Sequence, residues 1–167
     1  MKRIFLLFAG VFSMIFAFCQ ADSTQAPYLR FPTYPPVKLL NTDSATYFTK
    51  NDLDKKSQVL LMVFNPTCEH CRHETQAILK NIDAFKDIQI VMATNMPFDS
   101  MMSFRRTYGL GQYKNIVVTQ DVHYFLPTFY MMHNLPFLAF YDRHKKLISV
   151  FEGAMPIEKV LEQFGKM

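Results

Sequence analysis

The stretch Gln58-Val59-Leu60-Leu61-Met62-Val63-Phe64-Asn65-Pro66-Thr67-Cys68-Glu69-His70-Cys71 decides the fold. Its first seven residues form an almost continuous apolar run, the pattern of a strand buried on both faces of a sheet flanked by helices. Asn65-Pro66 ends the strand, and Thr67 can cap a helix that begins at Cys68. Cys68 and Cys71 then lie on the first turn of that helix. At this spacing a disulfide ring closes and opens with little backbone movement, which suits a bond that is made and broken repeatedly.

Outward from this point the chain alternates strands and helices. The helix is expected to run to about Phe85, with Ala77, Ile78, Ile82 and Phe85 on one face. Ile88 to Ala93 is a second buried strand. Asp99 can cap a helix carrying Met101, Phe104 and Tyr108, with Gly109 as its stop. Asn115 to Thr119 reads as a further strand or sheet edge, and Asp121 to His133 as partly helical, split or started by Pro127. Phe137 to Tyr141 and Leu147 to Phe151 flank the polar turn Asp142 to Lys146 as a β-hairpin. Pro156 opens a last helix with Ile157, Val160, Leu161 and Phe164 inward and Gly165 at its end. Before the deciding stretch, Val37 to Leu40 and Tyr47-Phe48 form two short strands around Asn41 to Ser44. The expected class is α/β with a mixed sheet.

The N-terminus reads as an export signal. Lys2 and Arg3 precede fifteen uncharged residues, Ile4 to Phe18, and then Cys19-Gln20-Ala21-Asp22. Cleavage after Cys19 or after Ala21 fits a small-x-small pattern. A lipid anchor on Cys19 and an uncleaved anchor are the tethered alternatives. Fifteen residues of helix span roughly 22 Å, short of a hydrocarbon core of about 30 Å, and Phe18 is bulky for lipoprotein processing. The expected division is residues 1–21 as signal, 22–36 as a proline-rich extended lead-in, and 37–167 as one domain. The expected location is outside the cytoplasm, periplasmic or on the outer membrane face, soluble rather than tethered. Taking Lys2 and Arg3 from the 18 Lys+Arg leaves 16 against 14 Asp+Glu, a net +2. That balance gives no ground for nucleic acid as a partner. A monomer is expected.

The chemistry rests on the thiols. A thiolate attacks a disulfide, and a helix start with its unpaired N–H groups favours the thiolate of Cys68, which makes it the nucleophile. Cys71, one turn deeper, is the resolving thiol. His70 and Glu69 between them tune the redox poise in opposite directions, which points to an intermediate potential. A structural zinc site would need about four ligands, commonly from two such pairs, and no second cysteine pair exists. Met101-Met102 and Met131-Met132 offer thioethers to copper, but eleven Met beside 17 Phe read as adaptable core filling. No metal and no cofactor is expected.

The buried strand, the Cys-x-x-Cys at a helix start, and Leu135-Pro136 before the strand Phe137 to Tyr141 together resemble the thioredoxin fold, over roughly Pro36 to Met167. The resemblance implies that Pro136 is cis beside the cysteines and that Leu135 offers its backbone to an extended partner segment. Thr67 stands where thioredoxin itself has Trp, and Met62 where it has a buried carboxylate. The run Cys68-Glu69-His70-Cys71-Arg72-His73-Glu74 is similar instead to the Cys-Glu-x-Cys-x-x-Glu of the TlpA/ResA-like exported reductases, and Val37 to Asp54 resembles their N-terminal hairpin. The likeness implies a proton-handling role for Glu74 near Cys71. The alternative for Glu74 is a surface carboxylate facing His70 at i,i+4. His73 reads as a solvated helix residue and His133 as a polar loop residue.

These readings imply a thiol–disulfide oxidoreductase acting on protein thiols and disulfides, with a membrane electron donor or a cytochrome c maturation client among its conceivable partners. Two rivals remain. A thiol peroxidase would want Thr where Asn65 stands, with Arg105 or Arg106 for charge. A copper metallochaperone would use Cys68, Cys71 and a histidine.

Overall fold

The computed structural model describes residues 25–166; the signal segment, Cys19 and the start of the lead-in lie outside the described residues. Seven strands form one sheet: β1 Leu39–Leu40, β2 Tyr47–Phe48, β3 Gln58–Val63, β4 Ile88–Thr94, β5 Ile116–Gln120, β6 Phe137–Tyr141 and β7 Leu147–Glu152. The order across the sheet is β2-β1-β5-β4-β3-β6-β7. β3 runs parallel to β4, and β4 to β5, while β6 is antiparallel to β3 and β7 to β6. Among the described residues, five α-helices flank the sheet: α1 Pro27–Arg30, α2 Glu69–Lys80, α3 Phe98–Thr107, α4 Phe125–Tyr130 and α5 Ile157–Gln163.

Strand side chains alternate between faces, so one apolar run can build two cores. Leu60 and Met62 of β3 face a cluster with Cys71 and Ile78 of α2, Met101 and Phe104 of α3, and Ile157 and Val160 of α5. Val59, Leu61 and Val63 face the other side, with Tyr34 of the lead-in, Val37 just after it, and Leu126, Phe129 and Tyr130 of α4. Each fully buried large apolar side chain contributes about 1.5–3 kcal/mol, so the double-sided β3 anchors both layers.

Several boundaries differ from expectation, each for a local reason. Thr67 does not cap α2: Asn65 Oδ1 accepts both its N–H and its hydroxyl at 2.9 Å, and Cys68 becomes the N-cap. α2 stops at Lys80 and a 3-10 turn carries Ile82–Phe85, since the Asn81 side chain donates back to the Ala77 carbonyl at 2.9 Å. Asp99 is not the cap of α3; the chain enters that helix from Pro97, and Asp99 sits inside the first turn. The lead-in was expected to lack regular structure, yet Pro27–Arg30 form a helical turn and Thr33 bridges Lys146. Its Tyr34 N–H donates to the Lys145 carbonyl at 2.8 Å, and buried Tyr34 ties it to the core. Gly109 does end α3, with φ 58 in the left-handed region that glycine adopts freely.

Lys145 was read only as part of a basic turn. Its side chain is instead buried, with Nζ donating to the carbonyls of Asp54 at 2.7 Å and Ser57 at 2.6 Å. It fastens the β6–β7 turn to the segment that leads into β3. Among the described residues, no helix is long and apolar enough to cross a membrane.

Candidate active site

β3 delivers its chain to the site and α2 begins there. Phe64 continues the strand, its N–H donating to Ala93 O at 2.9 Å, and its ring packs on Phe104 with centroids 4.6 Å apart. The strand-to-helix turn is thereby fixed from beneath. Cys68, half-buried, occupies the N-cap, and its sulfur accepts the Cys71 N–H at 3.4 Å. This is the role an N-cap oxygen normally takes: it satisfies one of the helix's orphan donors, and a negative sulfur benefits most. Both cysteines are free thiols.

Cys71 is fully buried. Burial pushes its thiol up to about 12, with the neighbouring Cys68 adding to the rise and the Asn65 backbone N–H pulling the other way. The two sulfurs are therefore unlike. One meets solvent at the helix start, and the other is held protonated in the core.

On the far side of Cys68 lies the β6 entry. The Leu135–Pro136 peptide is cis. The Cys68 thiol points at the Leu135 carbonyl, with Sγ and O 3.8 Å apart. Leu135 is half-buried and Pro136 buried. The loop before them is held by Glu152, whose carboxylate accepts the N–H groups of His133 at 3.1 Å and Asn134 at 2.9 Å. His133 itself is exposed beside that carboxylate.

Glu74 is not a surface residue. Only 2% of it is exposed, and it does not pair with His70. The i,i+4 pair on this helix is Glu69 with His73, 3.8 Å apart and exposed. Glu74 Oε2 accepts the Met155 N–H at 2.8 Å, while Oε1 is buried with no hydrogen-bond partner among the described residues. Burial raises the Glu74 carboxyl above its ordinary range, and the Met155 N–H offsets part of that rise. A buried carboxyl with one free oxygen, one turn beyond Cys71, can take up and return a proton. Met62 fills its position as core. Met101 is core as well, whereas Met131 is exposed.

His70 and Glu69 lie on the exposed face of the first turn. Among the described residues, no three His, Cys, Asp or Glu side chains gather in a way that could hold a metal ion.

Sequence reasoning passed over two features. Arg72 Nε donates to Pro66 O at 2.9 Å, placing its guanidinium over a cleft of about 400 Å³ between the start of α2 and α3. Met155, 81 residues beyond Glu74, was not connected with it. The Glu74–Met155 contact has no local signature, because it joins segments brought together by the fold; the Arg72–Pro66 bond spans six residues, but the cleft it borders exists only because α3 packs beside α2.

No sequence-family model matches the chain, and no curated protein matches it. Solved structures do match. A secreted Mycobacterium tuberculosis disulfide oxidoreductase homologous to E. coli DsbE superposes with TM-score 0.63 at 18% identity, over 77% of this chain and 93% of that one. StoA from Bacillus subtilis gives 0.60 at 17%, over 79% and 98%. A peroxiredoxin-like protein from Aquifex aeolicus gives 0.61 at 11%, over 78% and 82%. These likenesses, all under 25% identical, show the fold: the chain has the thioredoxin-like α/β fold.

Proposed function

We propose that the protein is a thiol–disulfide oxidoreductase acting on protein thiols and disulfides through Cys68 and Cys71. The observation that carries this reading is the unlike pair of sulfurs, one accessible at the N-cap of α2 and facing the Leu135 carbonyl, the other buried. The Cys68 thiolate attacks a partner disulfide, and the partner's sulfur leaves as a thiolate. Cys71 then loses its proton and attacks Cys68 Sγ. The Cys68–Cys71 disulfide forms and the second partner thiol is released. Two electrons pass from the pair to the partner; run in reverse, the same steps donate a disulfide. Glu74 is the nearby group suited to take the Cys71 proton, and the Leu135 backbone is suited to pair with an extended partner segment. Glu69 and His70 sit where they tune the poise.

Export rests on the N-terminal sequence pattern, and a mature N-terminus at Gln20 or Asp22 on mass analysis tests it. The TlpA/ResA-like branch rests on buried Glu74 in the Cys-Glu-x-Cys-x-x-Glu run. Equilibration against glutathione or dithiothreitol tests the activity. A potential near about −270 mV indicates a reductase, one near about −120 mV an oxidant, and an intermediate value is expected. Failure to cycle between dithiol and disulfide sinks the reading.

The peroxidase reading has the Aquifex aeolicus likeness in its favour. Against it, Asn65 stands where the hydroxyl is wanted, and its Oδ1 is already used by Thr67. Peroxide turnover faster than protein-disulfide turnover would reverse the preference. Stoichiometric copper or zinc after reducing purification would instead favour a metallochaperone.

A further inference from the structure

The cleft beside Cys68 has one wall on the α2 start and the other on α3. Ser100, Ser103 and Thr107 follow one another at turn spacing along α3 and line it with hydroxyls. Phe104 and Tyr108, ring centroids 4.6 Å apart, supply its apolar wall. Thr67, next to the nucleophile, forms its rim. Among the described residues, Arg72 is the only charged residue lining it.

The guanidinium is planted rather than loose. Its Nε is fixed on the Pro66 carbonyl, which leaves the Nη fork. Among the described residues no carboxylate forms an ion pair with it. Of the two acids nearest in sequence, Glu74 is buried against the Met155 N–H and Glu69 is turned to His73. An oriented guanidinium fork without a carboxylate, among hydroxyl donors and beside an aromatic wall, matches the planar two-oxygen face of a carboxylate.

We propose that this cleft is a subsite for an Asp or Glu side chain flanking the reacting cysteine of the partner protein, so that the enzyme favours acidic segments. The proposal rests on Cys68 being the attacking sulfur. A partner strand paired along Leu135 is crossed by Cys68 and can carry its neighbouring side chains over the Thr67 rim. Selection of this kind acts on encounter and orientation, so it is seen in rates at low salt.

The test uses three disulfide-linked peptides that differ only at the residue beside cysteine: Glu, Gln or Lys. Second-order rates of their reduction are compared for the full chain and for Arg72→Gln and Arg72→Lys. A small uncharged disulfide serves as a control. We expect the wild type to prefer the Glu peptide over the Gln peptide about fivefold at low ionic strength and to disfavour the Lys peptide. The ratio should fall to about one in Arg72→Gln, recover in part in Arg72→Lys, and shrink with added salt. The ratio cancels any change in Cys68 reactivity caused by losing a nearby cation. Equal wild-type rates on the Glu and Gln peptides, with the small disulfide still reduced, overturn the subsite alone. A preference that survives in Arg72→Gln overturns the assignment to this cleft. If the small disulfide is not reduced either, the reading of Cys68 falls and the subsite with it.

Discussion

At the scale of residues, the difference between the two sulfurs can be read directly. Cys68 should alkylate near neutral pH, whereas Cys71, buried and pushed up to about 12, should react only in strong alkali or after unfolding. Mass spectrometry of singly modified chain checks this, with Cys68 carrying the label. Cys71→Ser should accumulate mixed disulfides on Cys68, because the resolving thiol is gone and the nucleophile remains. Trapping by Cys68→Ser instead would reverse the assigned order. Glu74 gives a second prediction. In Glu74→Gln the carboxylate that can accept the Cys71 proton is missing, so resolution of the mixed disulfide should slow several-fold and lose part of its pH dependence. Stopped-flow rates equal to wild type from pH 5 to 9 would remove Glu74 from the chemistry. Stability carries the same signature. The folded carboxyl titrates above the unfolded one, so its protonated form is favoured on folding. That contribution is complete below the unfolded value near 4.5 and is lost as pH rises through the folded value. The wild type should therefore lose stability relative to Glu74→Gln across that window, by at most about 1.4 kcal/mol per pH unit.

At the scale of elements, the apolar runs and their punctuation were legible and the caps were not. Gln58–Val63, Phe137–Tyr141 and the hairpin turn between β6 and β7 were readable because apolar runs and the polar, charged stretch between two of them are local signals. The start of α2 was misread by one residue because Thr67 is drawn to Asn65 Oδ1, leaving Cys68 Sγ to take the Cys71 N–H, and composition does not say which side chain caps. Glu74 had two readings in sequence, and only packing of the Met155 segment against α2 distinguishes them. Lys145 was invisible for the same reason: its two shortest bonds go to carbonyls 91 and 88 residues away. Lys145→Met leaves those carbonyls without their donor and should destabilise by about 1–3 kcal/mol. Urea midpoints should fall while the Cys68–Cys71 potential stays unchanged, since the clamp sits at the opposite end of β3 from the cysteines. A changed potential would show that the two ends of β3 communicate.

At the scale of the whole molecule, one sheet serves two cores, so neither face can open without exposing the other. Tyr34, Tyr130 and Tyr141 all lie on the α4 face, with the hydroxyls of Tyr130 and Tyr141 hydrogen-bonded to each other, and the chain has no Trp. Near-ultraviolet dichroism therefore reports chiefly on that face, while far-ultraviolet dichroism reports on the whole. The two unfolding curves in urea should coincide. An earlier near-ultraviolet transition would mean that the tyrosine face loosens by itself.

The segment from Glu152 to Met155 touches both halves of the site. Glu152 holds the loop before the cis peptide, the Gly153 N–H donates to Pro136 O at 2.8 Å, and the Met155 N–H rests on Glu74. Two neighbouring amides thus serve as separate listening posts. In a nitrogen–proton spectrum the Met155 resonance should track the ionisation of Glu74, while that of Gly153 should move when a peptide is laid beside Leu135. Proton traffic at the buried cysteine and occupancy of the partner groove become separately visible without a label on either sulfur.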